Sequence, residues 1–180
     1  MGIIFILSLS IGIFFRGSSF FSKEKEYSSS NISDFKGGDY IQLVYIGSSG
    51  CGYCNDSLHK EIANLSNRLK EYSIISGKKF YTTGISTDVN TNQGIDFLIK
   101  AGNFDEIITG GGWYNMGANY YIWDKFQLEG YVPQILIIDL QLDVKGSLNG
   151  ILDITRKDSL LEHFSSLSEL KDFGYLEISY

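Results

Sequence analysis

The stretch YIQLVYIGSSGCGYCNDSLHKEIANLSNRLKEY, residues 40–72, decides how the rest of the chain is read. Tyr40 to Ile46 is a short run rich in β-branched and aromatic residues, bounded by Gly37-Gly38 and by Gly47-Ser48-Ser49-Gly50. That pattern predicts a buried strand ending in a loop. Further on, Leu58, Ile62, Leu65, Leu69 and Tyr72 recur at i, i+4, i+7, i+11 and i+14, with Lys60, Glu61, Asn64, Asn67, Arg68 and Lys70 off that line. One apolar face of this kind predicts an amphipathic helix. Between strand and helix stand Cys51, Gly52, Tyr53 and Cys54.

The placing of the two cysteines suits redox chemistry. A helix start offers unpaired N–H groups and a partial positive charge, which stabilise a thiolate. With the helix expected to begin at about the motif, the Cys51 pKa falls from about 8.5 toward neutrality. The i, i+3 spacing puts Cys54 in bonding distance on the same turn. Cys51 then attacks a disulfide, and Cys54, the more shielded of the pair, resolves the mixed disulfide. Two alternatives stay open: a structural pair without redox function, and a metal or cluster shared between two chains.

Other sulfur arrangements are disfavoured by counting. The chain has two cysteines and two histidines. A two-residue spacer closes too short a loop to staple a scaffold. Zinc held within one chain would need Cys51, Cys54, His59 and His163, whose spacing matches no zinc module, so no metal is expected. The 180 residues suit one domain of ordinary size, with 43% apolar residues for its core. A net charge of -6 offers no basic stripe for phosphates, so nucleic acid is not an expected partner.

At the N-terminus, Ile3 to Phe15 is an uncharged apolar run followed by Arg16 and a polar stretch. It is short of the roughly 20 residues a spanning helix needs and suits the core of an export signal. Neither a preceding Lys or Arg nor a clear small-residue cleavage site supports that. We expect a signal or uncleaved anchor with a polar linker over 1–38, membrane anchoring through residues 3–15, and an extracytoplasmic domain over 39–180.

Beyond the opening stretch, Phe80 to Ser86 predicts a second strand, and Gly94 to Gly102 a helix ending at Gly102-Asn103. From Asp105 to Glu129 the sequence supports only a glycine-rich loop and a short helix around Ala118 to Phe126. Gln134 to Leu140 predicts a buried strand, Asp143 to Gly146 its turn, and Val144 to Ile151 a further strand. Asp158 to Leu170 carries Leu160, Leu161, Phe164, Leu167 and Leu170, predicting a closing helix capped by Asp158. Strands alternating with helices argue an α/β sheet.

Three parts together resemble the thioredoxin superfamily: the strand YIQLVYI, the motif Cys51-Gly52-Tyr53-Cys54, and Val132-Pro133 directly before QILIIDL. In that family a cis-proline opens the strand facing the dithiol, and the residue before it pairs with substrate backbone. Pro133 is the chain's one proline. The resemblance covers roughly Asp39 to Leu170. It implies a three-layer fold with a central mixed sheet flanked by helices. The stretch between Cys54 and Pro133 exceeds the minimal layout, which implies an insertion over about Gly84 to Glu129, as in TlpA-like branches.

The resemblance also implies a thiol–disulfide oxidoreductase with Cys51 and Cys54 catalytic, and Val132, Pro133, Gly52 and Tyr53 against the substrate. Protein disulfides and a redox partner protein would be its partners, and no cofactor is needed. The competing expectation is a non-catalytic binding module with a structural disulfide. Two departures matter. Thioredoxin's tryptophan before the motif is Gly50 here. Its buried aspartate corresponds to Tyr45, so deprotonation of Cys54 needs water or another group. His59 is expected on the solvated side of its helix, Asp88 as a helix cap, and the aromatics from Trp113 to Trp123 mainly as core.

Overall fold

The computed structural model of the protein describes residues 37–145 and 153–175. The expected N-terminal segment 3–15 and the polar linker up to Lys36 lie outside the described residues. In chain order the elements are β1 (Gly38–Gly47), α1 (Asp56–Ile75), β2 (Lys79–Ser86), α2 (Thr91–Ala101), β3 (Glu106–Ile108), α3 (Met116–Ala118), β4 (Gln134–Lys145), β5 (Asp153–Phe164) and α4 (Leu167–Tyr175). A 3₁₀ turn at Gly112–Tyr114 precedes α3, and a π-helical stretch at Asn119–Lys125 continues it.

The strands form one mixed sheet in the order β3-β2-β1-β4-β5. β1 runs parallel to β2 and antiparallel to β4, β2 is parallel to β3, and β5 is antiparallel to β4. This α/β architecture is compatible with the thioredoxin-like expectation. β1 is buried without a break from Ile41 to Gly47. A strand covered on both faces reads as a continuous apolar run rather than an alternation, which is why the opening stretch was legible.

Alternate residues of that run serve two cores. Ile41, Leu43 and Tyr45, with Ile135 and Ile137 of β4, pack against Leu58, Ile62, Leu65 and Leu69 of α1, Phe97 and Leu98 of α2, and Leu170 of α4. Val44 and Ile46, with Leu136, Ile138 and Leu140, pack with Ala118, Tyr121 and Ile122 of the α3 segment. Each fully buried aliphatic side chain contributes about 1.5–3 kcal/mol, so the α1 face alone anchors that helix beneath the dithiol. Asn115 ties the α3 segment to the sheet: its amide donates to the Ser86 carbonyl at 2.9 Å, and its Oδ1 accepts from Ala118 N–H at 2.8 Å.

Several expectations are corrected. The closing helix does not begin at Asp158: Asp153–Phe164 is β5, and α4 starts at Leu167. The helical look of Leu160, Leu161 and Phe164 comes from a bulge. Ile138 pairs with Leu160 and Ile137 with Glu162, leaving Leu161 as an extra residue, and such an insertion shifts the side-chain alternation. Asp158 caps nothing; its buried carboxylate accepts from Arg156 Nε at 2.9 Å and from the Tyr120 hydroxyl. Asp143 and Val144 are not a turn, because β4 runs on to Lys145. The expected strand Val144 to Ile151 is therefore divided between the end of β4 and residues 146–152, which lie outside the described residues. β3 was not foreseen. Gly84, the expected first residue of an insertion, lies within β2 and pairs with both Tyr45 and Ile107.

Candidate functional site

The loop after β1 delivers the two cysteines to the edge of the first core. Cys51 N–H donates to the Ser48 carbonyl and Cys54 N–H to the Cys51 carbonyl, both at 3.1 Å. These two turns precede the helix rather than forming its first turn, as the sequence had suggested. α1 starts at Asp56, and Asn55 caps it, its Oδ1 accepting from Ser57 and Leu58 N–H at 3.1 and 3.2 Å. An Asn at this position satisfies donors that the helix leaves unpaired. Those two donors are thus already occupied, and the motif sits just ahead of the positive helix end.

Cys51 and Cys54 are joined as a disulfide, with Cα atoms 5.3 Å apart, as a C-x-x-C redox motif allows. Cys51 is partly exposed, whereas Cys54 is 7% exposed and belongs to the first core. Gly52 and Tyr53 between them are exposed, Tyr53 at 81%. Cys51 Sγ stands 3.5 Å from the Val132 carbonyl oxygen, and the Val132-Pro133 peptide is cis. The structure therefore brings Cys51, Cys54, Val132 and Pro133 together, with Gly52 and Tyr53 at the solvent side.

Asp88 holds the loop in front of the motif, a role the sequence did not suggest. Its carboxylate accepts from Ser86 Oγ at 2.6 Å, Ser49 Oγ at 2.7 Å, Ser49 N–H at 3.0 Å and Ser48 Oγ at 3.1 Å. Burial alone would raise its pKa. The hydrogen bonds from Ser86, Ser49 and Ser48 outweigh that and hold it below the ordinary carboxylate value. The cap of α2 is Asn90 instead. A Ser-Ser pair before the motif, with a carboxylate just past the neighbouring parallel strand, was the available signal.

His59 is also corrected: it is buried, not solvated. It lies beside the apolar stripe of α1, and α2 covers that flank. Its Nε2 is 3.3 Å from the Tyr45 hydroxyl, and its ring meets Tyr45 and Phe97 edge-on, with centroids 5.9 and 5.5 Å away. Burial lowers its pKa, partly opposed by Asp56. Burial also raises the Tyr45 phenol far above its usual value. The aromatic group of residues 113–123 divides between roles. Tyr121 is core, Trp113 and Tyr120 pack against that core, and Tyr114 is 90% exposed. Trp123 meets Trp113 at 5.8 Å and lies against Gly130, close in sequence to Val132.

Among the described residues no group of three His, Cys, Asp or Glu side chains could hold a metal ion, and no helix is long and apolar enough to cross a membrane. Comparison with known proteins finds no match for this chain among family models, curated proteins or solved structures.

Proposed function

We propose that this chain is a thiol–disulfide oxidoreductase on a thioredoxin-like fold, acting on disulfides of other proteins. One observation carries the proposal: a Cys51–Cys54 disulfide at a strand–helix junction, its more exposed sulfur 3.5 Å from the carbonyl that precedes a cis-proline. The three parts of the sequence that carried the family resemblance meet at this one place. β3 and the helical segment through Lys125 would be the added piece before Pro133.

In the reduced protein Cys51 attacks a substrate disulfide, one substrate sulfur leaves as a thiolate, and a mixed disulfide forms. Cys54 then attacks Cys51 Sγ and releases the second substrate sulfur. The Val132 backbone would align the substrate chain, with Gly52 and Tyr53 flanking it. The two thiols carry both electrons, so the exchange calls for no cofactor, and a redox partner protein would reset the pair. An extracytoplasmic setting is favoured by the apolar segment 3–15.

The test is catalysis of insulin reduction by dithiothreitol, with Cys51→Ser abolishing it. A structural disulfide would instead show a potential below about -300 mV and an unshifted Cys51 thiol.

A further inference from the structure

Resolution of a mixed disulfide needs Cys54 as a thiolate, since the thiol itself is a poor nucleophile. Cys54 is packed in the apolar cluster with Tyr45, Leu58 and Phe97. Apolar burial disfavours the charged form of a thiol, so efficient resolution calls for a base inside the cluster. Tyr45 cannot serve, because its buried phenol keeps its proton.

His59 meets the requirement. Cys54 directly precedes the capping Asn55 and His59 is the fourth residue of α1, two positions whose side chains commonly pack on each other at a helix start. The ring contacts of His59 are Tyr45 and Phe97, which belong to the same buried cluster as Cys54. The groups facing it are Asp56 on its own helix, Tyr45 from β1 and Phe97 from α2, and of these only Asp56 is charged. Burial keeps the imidazole neutral near pH 7 and able to accept a proton. Its Nδ1 is the one buried side-chain nitrogen or oxygen without a hydrogen-bond partner among the described residues. Buried polar atoms are nearly always paired, so an orphan calls for an explanation.

We propose that His59 is the internal base of the exchange, with Nε2–H donating to Tyr45 Oη and the Nδ1 lone pair taking the Cys54 proton. The role rests on the oxidoreductase function proposed above. The proton moves from Cys54 Sγ to His59 Nδ1. The Cys54 thiolate attacks Cys51 Sγ, and the Cys51–Cys54 bond forms as the Cys51–substrate bond breaks. The substrate thiolate leaves and takes a proton from water, and the imidazolium returns its proton to solvent. The dithiol is oxidised and the substrate disulfide reduced by the same two electrons.

Single-turnover mixing of the reduced full-length protein with dithiobis(nitrobenzoate) separates the steps. Attack by Cys51 releases one coloured thiolate, and resolution by Cys54 releases the second. In the wild type the second rate should vary little across neutral pH, while the first, and with it the ratio of second to first, follows the ionisation of Cys51. In His59→Gln the ratio should fall at least about tenfold below wild type at pH 7, and the second rate should recover as pH rises. Tyr45→Phe, which keeps the imidazole but removes its anchor, should give an intermediate fall, and it carries the test if His59→Gln does not fold. A wild-type ratio and pH profile in the variant that folds overturns the role of His59 alone. Absence of a first release from the wild type, or its persistence in Cys51→Ser, overturns the oxidoreductase function and the base with it.

Discussion

Replacing Asp88 should cost more than its place in a loop suggests. Asp88→Ala deletes four hydrogen bonds to one carboxylate, from Ser86 Oγ, Ser49 Oγ, Ser49 N–H and Ser48 Oγ. Bonds to a charged acceptor are each worth about 1.5–3 kcal/mol net. They do not add here, because Ser49 is exposed and Ser48 partly so, and water replaces the carboxylate at both. Ser86 is fully buried and cannot recover in that way. A loss of about 3 kcal/mol follows, dominated by the Ser86 bond, which lowers Tm by about 6–12 °C for a domain of this size. Asp88→Asn should lose about half as much, since the serine hydroxyls can rotate and keep part of the set.

The pH dependence gives a second handle. The Asp88 pKa is lower in the folded protein than in the unfolded chain. Its stabilisation is therefore fully present above the unfolded value, about pH 4, and is lost as pH falls through the folded value. The gap in Tm between wild type and Asp88→Asn, followed by circular dichroism, should be widest near neutrality and close below about pH 4. A Tm for Asp88→Ala within about 2 °C of wild type, or a gap that widens with acid, would refute this account of the loop.

Three further predictions follow from the packing. Gly47→Ala places a methyl 2.6 Å from the Tyr45 hydroxyl and 2.8 Å from the Phe97 ring. It should destabilise by about 1–3 kcal/mol in urea unfolding, with Tyr45→Phe in the same chain restoring part of it. Ile62→Ala empties a site 2% exposed between α1 and the sheet and should cost about 2–5 kcal/mol by the same measurement. Arg156→Met strands the buried Asp158 carboxylate and Gln42, whose Oε1 accepts from Arg156 at 2.9 Å. A loss of about 3–5 kcal/mol is expected, and Arg156→Met with Asp158→Leu should lose less than Arg156→Met alone.

Of the fold, what could be read from the sequence was what periodicity decides. β1 and α1 were legible because a doubly covered strand and a one-faced helix have opposite patterns, and both are long. β2, α2 and the start of β4 followed for the same reason. β5 was misread because the bulge at Leu161 brought Leu160 and Phe164 into helical spacing. β3 was missed because three residues at a sheet edge carry too little pattern. Cys51, Cys54 and Val132-Pro133 could be picked out as local motifs. Asp88 and His59 could not, since their roles depend on which residues the fold brings beside them. Asp88 meets Ser48 and Ser49 only because β2 lies parallel to β1, and His59 is buried only because α2 lies over its side of α1.

The central claim is that Cys51, and not Cys54, makes the bond to substrate. The most direct measurement is mass spectrometry of single-cysteine variants incubated with an oxidised protein such as insulin. Cys54→Ser should accumulate a mixed disulfide through Cys51, and Cys51→Ser should accumulate little or none. Equal adducts on both variants, or an adduct only through Cys54, would contradict the account.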